Sequence, residues 1–70
     1  MVVVKIIELV GTSNKSWQEA VENAVIRAAK TIRNIRGVDV LSWTAKVTGD
    51  KIVEYRSDIK ISFVVDEITG

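Results

Sequence analysis

One long run of alternating residues in the C-terminal half of the chain constrains the fold most. Between residues 53 and 65, apolar side chains occupy all odd positions except Ser57, and polar side chains occupy most even ones; the apolar set is Val53, Tyr55, Ile59, Ile61, Phe63 and Val65. A period of two residues is typical of a β-strand with one buried face. Because one short helix cannot cover so long an apolar face, we expect the rest to contact further copies of the chain.

Composition supports the same expectation. The chain has 70 residues and contains neither Cys nor His, so disulfides cannot stabilise it and no Cys or His metal cluster can form. Hydrophobic residues make up 47% of the sequence, which is typical of a folded domain and not of a disordered tail. We therefore predict one domain over residues 1–70 that is stabilised by association into a homo-oligomer.

Charge and N-terminal composition indicate the partners and the location. Ten basic and nine acidic residues are interspersed, which argues against nucleic acid as a partner. The apolar stretch from Met1 to Val10 is interrupted by Lys5 and Glu8 and has no small-residue cleavage site, so it is neither a signal peptide nor a membrane span. The expectation is a cytoplasmic protein without a membrane partner.

A strand and a helix are predicted in the first half of the chain. The β-branched stretch from Val2 to Val10 predicts a strand that ends at the turn-forming residues 11–14. Ser16 and Glu19 have capping-box spacing, in which the Ser16 hydroxyl accepts from the Glu19 amide and the Glu19 carboxylate reaches back. The following stripe predicts about five helical turns packed against a sheet; it consists of Trp17, Ala20, Val21, Ala24, Val25, Ala28, Ile32 and Ile35.

Basic residues mark the second half of this predicted helix, which ends at Gly37. They are Arg27, Lys30, Arg33 and Arg36. Cations favour the negative end of the helix dipole, and no aromatic residues are interleaved with them as nucleic-acid binding would require. We interpret them as dipole-compensating residues.

The next strand changes phase along its length. Val38 and Val40 share one parity, whereas Leu41, Trp43, Ala45 and Val47 carry the apolar character on the other. Two alternatives remain open: a β-bulge near Val40 and Leu41, or burial of both faces, one by the helix and one by a neighbouring subunit. Thr48 to Lys51 forms a short hairpin turn. The predicted order is β-α-β-β in the α+β class.

These residues resemble the dodecin family along essentially the whole chain. The similarity lies in the Glu-Leu-Val-Gly-Thr-Ser run from Glu8 to Ser13, the Ala-rich helix and the final strand from Tyr55 to Phe63. The resemblance implies a three-stranded antiparallel sheet wrapped around one long helix. It also implies twelve copies assembled into a hollow sphere that binds and stores small ligands, mainly flavins and in some members calcium. It does not imply an enzyme, and no motif here brings a nucleophile and a base together.

Two positions depart from the flavin-binding pattern of the family. Aligned through Lys30 to Arg33, the family's stacking Trp falls on Gly37, within the stretch that includes Asp39; the family's ring-contacting Gln falls on Arg56. Loss of an aromatic stacking partner removes about 1 kcal/mol or more beyond buried area. We therefore do not expect FMN, FAD or riboflavin to bind in the family's manner.

The two Trp residues are alternative stacking candidates. Trp43 lies six residues beyond Gly37, which is about 20 Å along a strand. Within one subunit this is too far for the same pocket, so Trp43 either forms a substitute aromatic pocket across subunits or packs in an interface or core. We expect Trp17, in the first helical turn, to be a packing residue.

A calcium or other cation site would have to use carboxylates. Asp39, Asp50, Glu54, Asp58, Asp66 and Glu67 are scattered, and no loop resembles an EF-hand. In a symmetric shell, however, one carboxylate near a three-fold axis is presented three times. The first metal candidates are Asp39, Glu54 and Asp58. The alternatives are solvated charges or surface ion pairs with Arg56 or Lys60, and an oligomer with a purely structural role.

Overall fold

Three antiparallel strands and one helix make up the described residues 2–67 of the computed structural model, in which side chains are described for residues 2–65. Strand β1 spans Val2–Ser13, helix α1 spans Trp17–Ala29, β2 spans Ile35–Thr48 and β3 spans Lys51–Glu67. The strand order is β1-β3-β2, so β3 is central and the other two are edge strands. The predicted β-α-β-β order is confirmed.

The core lies between the helix and the odd-numbered face of β3. Ser57, Ile59 and Ile61 are completely buried. They face a helical stripe of small residues, Ala20, Ala24 and Ala28, which are also buried. Small side chains let the helix approach the sheet closely, and the Ile side chains fill the space between them. The helix is too short and insufficiently apolar to span a membrane.

Strand β1 is longer than the sequence pattern indicated. We expected Gly11, Thr12 and Ser13 to form a turn, but they pair with Ser57, Arg56 and Tyr55 of β3. A Cβ atom on Gly11 would overlap the Ala20 carbonyl oxygen and lie 2.9 Å from Ala24 Cβ. Gly11 therefore allows the helix to pack closely against β1, and it does not form a turn.

Helix α1 is shorter than the five turns predicted. It ends at Ala29 with Lys30 as its cap, and Asn34 adopts a positive φ of 62° before β2 begins at Ile35, not at Val38. Ile32 and Ile35 still pack on the core, so a connecting loop and a strand can satisfy the same apolar spacing. Arg27 alone of the four basic residues lies in the last helical turn. The dipole interpretation was wrong for Arg33 and Arg36.

Two register shifts explain the phase of the apolar residues. The shift between Val40 and Ser42 leaves Leu41 unpaired, so of the two alternatives left open by the sequence the structure has the bulge. A second shift, where Val3 pairs with Asp66 and Val4 with Val64, leaves Val65 unpaired. As a result Val64 is buried and Val65 is 49% exposed. The prediction that Val65 continues the buried parity was wrong because a bulge reverses the facing of the residues beyond it.

The described molecule is elongated. Its longest extent is 59 Å, and its radius of gyration is 14.8 Å. A compact domain of this length has a radius of about 11 Å. The elongation comes from the long β2–β3 hairpin, whose two-residue turn at Gly49 and Asp50 confirms the predicted turn.

Candidate ligand and metal site

The start of the helix is held by a hydrogen-bond network that includes half of the predicted capping box. The Ser16 hydroxyl accepts from the Glu19 amide at 3.0 Å, as predicted. The Glu19 carboxylate accepts instead from the Ser13 hydroxyl at 3.1 Å, and Ser13 Oγ accepts from the amides of Lys15 and Ser16. The Glu19 carboxylate thus bonds to Ser13 and not to the Ser16 amide as the capping box predicts. Ser13 is within reach because β1 extends to this residue.

An aromatic cluster joins the first helical turn to the β2–β3 hairpin. The Trp17 ring packs edge-on against Tyr55 at 4.7 Å and against Trp43 at 6.2 Å between centroids. Trp17 Nε1 donates to the Thr44 carbonyl at 2.8 Å. These contacts support the packing role expected for Trp17. Trp43 also packs in the cluster, yet its side chain remains 53% exposed.

Most of the candidate ligand residues lie on the outer sheet face, defined here as the even-numbered face of β3 and the residues paired with it. Directly paired residues of antiparallel strands share a face. Gly37 pairs with Ser62, and Asp39 pairs with Lys60. Glu54, Arg56 and Asp58 have the same parity on β3. Trp43 differs, since it pairs with the inward-facing Ser57.

The two positions compared with the family's flavin contacts are far apart within one subunit. Gly37 lies opposite Ser62, whose hydroxyl donates to the Gly37 carbonyl at 3.4 Å. Arg56 lies six residues away along β3, which corresponds to about 20 Å. Its guanidinium donates to the Glu54 carboxylate at 3.3 Å, as one of the two expected surface ion pairs. One chain therefore does not bring these two positions into a common pocket.

Asp58 has the least satisfied carboxylate among the described residues. Its Oδ1 atom is buried and has no hydrogen-bond partner. It is flanked in the sheet by Val10 on β1 and Ser42 on β2. A buried carboxylate oxygen without a donor is costly, so a cation or a donor from outside the chain would stabilise it.

The carboxylates do not converge within one chain. Among residues 2–65, no group of three or more acidic side chains is placed to hold a metal ion. Asp39 lies beside Lys60, Glu54 is paired with Arg56, and Asp50 is exposed in the hairpin turn. The side chains of Asp66 and Glu67 lie outside the described residues. A hard cation takes six to eight oxygen ligands, so Asp58 would supply one member of a set completed by another copy or by water.

Comparison with known families agrees with this fold. The family model described as Dodecin matches residues 3–66. The chain belongs to the dodecin family. The dodecin resemblance noted from the sequence is thereby confirmed, as is the fold class that it implied.

Individual dodecins match over nearly their full lengths. The calcium dodecin of Mycobacterium tuberculosis is 35% identical over 63 residues, which is 90% of this chain and 89% of that protein. A crystal structure of a calcium dodecin from the same organism, described as having a novel calcium-binding site, has a TM-score of 0.81 at 33% identity and covers 97% of both chains. A Thermus thermophilus crystal structure has a TM-score of 0.91 at 29% identity and covers 97% of this chain and 100% of its own.

The sequence pattern missed some residues that lie next to the candidate carboxylate or hold the helix start in this dodecin. Ser42 and Val10 flank Asp58 only because of the strand register, including the bulge at Leu41. The predicted bulge was the available signal, since it shifts Ser42 onto the same face as Asp58. Ser13 was missed because the pattern assigned it to a turn.

Proposed function

We propose that this chain is the subunit of a closed homo-oligomeric shell that binds and stores a small ligand, with a hard divalent cation such as calcium as the ligand. We choose a cation because the Oδ1 atom of Asp58 is buried and has no hydrogen-bond partner. The role is binding rather than catalysis, and the proposal places the shell in the cytoplasm. Assembly into twelve copies is part of the proposal and comes from family membership.

Surface area supports self-association. The accessible surface is 5132 Å². A folded monomer of this mass exposes about 4,400 Å², so the chain has an excess of about 700 Å². A standard protein interface buries about 800 Å² per partner. The excess is therefore comparable to one interface, and it is rich in exposed Val and Ile side chains.

Three observations favour a cation over a flavin. The position of the family's stacking aromatic holds Gly37, and the position of the ring-contacting amide holds Arg56, which is engaged by Glu54. Asp58 offers a carboxylate oxygen that the chain itself leaves unsatisfied. A relative at 35% identity carries calcium in its name. Flavin remains the alternative ligand, and the exposed surface of Trp43 is where we would look for its stacking contact.

Native mass spectrometry before and after dialysis against a chelator tests this proposal. We expect a multi-subunit mass, close to twelve chains, that carries calcium-sized additions which the chelator removes. Asp58→Asn should lose the additions and keep the assembly, whereas Asp50→Asn, in the exposed turn, should keep both. Because the ion binds the folded assembly, removal should also lower the melting temperature.

Three results would contradict the proposal in different ways. A multi-subunit mass with flavin-sized additions and a yellow preparation would replace the cation with a flavin. A mass of a single chain at micromolar concentration would overturn the shell itself. Unchanged metal additions in Asp58→Asn would show that other oxygens hold the ion.

A further inference from the structure

The residues that lose one electron most readily lie together in this fold. The sequence contains two Trp, one Tyr and a single Met, at position 1, and it contains neither Cys nor His. Both Trp residues and the Tyr belong to the aromatic cluster, in which Trp17 contacts Trp43 on one side and Tyr55 on the other. A one-electron oxidation of the described residues is therefore expected to settle in this cluster.

We propose that the cluster is a relay that carries a one-electron oxidation from Trp43 through Trp17 to Tyr55. Its substrates are small one-electron oxidants, such as inorganic radicals, that reach the protein surface. In the net reaction the oxidant gains one electron, while Tyr55 loses one electron and releases its phenol proton to water. Both indole rings are oxidised in turn and end unchanged. This activity goes beyond the proposed function, and it does not require the ion or the carboxylate of Asp58.

The ring contacts provide the path for the electron. The ring centroids lie 6.2 Å apart between Trp43 and Trp17 and 4.7 Å apart between Trp17 and Tyr55. Both distances are within the range of about 4.5–7 Å that is typical of packed aromatic pairs. Because electron transfer slows steeply with distance, rings in contact exchange an electron faster than rings separated by other side chains. Trp17 contacts both other rings, so it connects the two ends of the relay.

The exposure of Trp43 and the chemistry of tyrosine give the relay its direction. Trp43 is 53% exposed, whereas Trp17 and Tyr55 are half-buried. An oxidant in solution thus meets Trp43 first. At neutral pH a tyrosine is easier to oxidise than a tryptophan, because the phenol loses its proton together with the electron. The oxidation therefore moves towards Tyr55 and stops there.

The hydrogen bond of Trp17 favours transfer through the middle of the relay. Trp17 Nε1 donates to the Thr44 carbonyl oxygen at 2.8 Å. An oxidised indole becomes a weaker oxidant once it loses this proton. A peptide carbonyl is too weak a base to accept the proton, so the bond slows its loss and oxidised Trp17 remains a strong oxidant towards Tyr55. The same bond holds the indole in place between its two neighbours.

Pulse radiolysis of the purified native protein with the azidyl radical tests the relay. This radical reacts faster with indole than with phenol at neutral pH, so the absorption of a Trp radical should appear first. We expect this absorption to decay with the same rate constant as the tyrosyl absorption rises, independently of protein concentration. In Tyr55→Phe, which keeps a ring against Trp17, the tyrosyl absorption should be lost and the Trp radical should persist.

Two further variants separate the entry point from the path. Trp43→Phe removes the exposed indole, so the yield of the first Trp radical should fall. Trp17→Phe keeps an aromatic ring in the cluster but interrupts the relay. Most of the tyrosyl absorption should then be lost, while the Trp radical still forms at Trp43. Circular dichroism checks that each variant keeps the fold, because Trp17→Phe also loses the hydrogen bond to the Thr44 carbonyl.

Three outcomes would overturn the relay. If the tyrosyl absorption rises together with the Trp absorption and in proportion to the azidyl dose rate, the oxidant attacks Tyr55 directly. An unchanged tyrosyl rise in Trp17→Phe would show that Trp43 and Tyr55 exchange the electron without Trp17. An undiminished Trp radical yield in Trp43→Phe would place the entry point elsewhere. None of these outcomes bears on the proposed ion-binding shell, which native mass spectrometry tests separately.

Discussion

Single residues in this fold act mainly by being small or by fitting an uncommon backbone geometry. Gly11 is the point where helix α1 comes closest to β1, with the Ala20 carbonyl and Ala24 Cβ against it. Asn34 adopts a left-handed conformation that ends the connection between helix and β2. Asn tolerates this conformation better than most residues, because its short polar side chain can hydrogen-bond locally.

We expect Gly11→Ala to destabilise the protein by about 1–3 kcal/mol, which is the usual cost of overpacking a tight contact. The added Cβ would have to displace helix backbone, which cannot rotate away. Gly37→Ala is the matched control, since its Cβ would lie 3.3 Å from the movable Ser62 hydroxyl. Urea unfolding of the two variants should show a clearly larger loss for Gly11→Ala; equal losses would mean that the helix does not pack as tightly as described.

The two ends of helix α1 differ in how far the sequence predicts them. The start of α1 was predictable because the spacing of Ser16 and Glu19 is a local signal. Its end was not, because Ile32 and Ile35 fit the helical stripe and yet lie beyond the helix. Local spacing cannot distinguish a longer helix from a shorter helix followed by a loop and a strand, because both arrangements place Ile32 and Ile35 on the core.

Ser16→Ala should reduce the free energy of unfolding by about 1 kcal/mol, because the Glu19 amide loses its side-chain acceptor at the helix start. Ser16→Asn keeps an acceptor oxygen and should stay close to wild type. Thermal or denaturant unfolding followed by circular dichroism measures the difference. Equal stabilities of the Ala and Asn variants would show that Ser13, and not Ser16, provides the effective cap.

At the scale of the whole molecule, one face of the sheet forms the subunit core and much of the remaining apolar surface stays exposed. Ile59 and Ile61 are completely buried within the chain, whereas Val47, Val10 and Trp43 are more than half exposed. Val47 lies in the β2–β3 hairpin, Val10 lies in edge strand β1, and Trp43 packs in the aromatic cluster. Folding of the subunit therefore depends on different side chains from those that remain available for the proposed assembly.

We expect Ile61→Asp to prevent folding and assembly together, because it places an unpaired charge in the core. Val65→Asp should leave the subunit folded, because Val65 lies four residues further along β3 and is 49% exposed. Circular dichroism with light scattering after size exclusion tests both variants. A well-folded monomer from Ile61→Asp would show that the Ile61 side chain is less buried than described. An unfolded Val65→Asp would show that the Val65 side chain is buried in the core.

The amino-acid sequence by itself determined the element order, the helix start and the hairpin turn, because each depends on neighbours within a few residues, whereas it left the bulge near Leu41 as one of two alternatives. It also indicated that Gly37 and Arg56 depart from the family's flavin contacts. Only the tertiary structure decided that β1 runs through Ser13, that Val64 replaces Val65 in the buried face and that Asp58 lies between Val10 and Ser42. These features depend on register between strands distant in sequence, and one unpaired residue changes which side chains share a face.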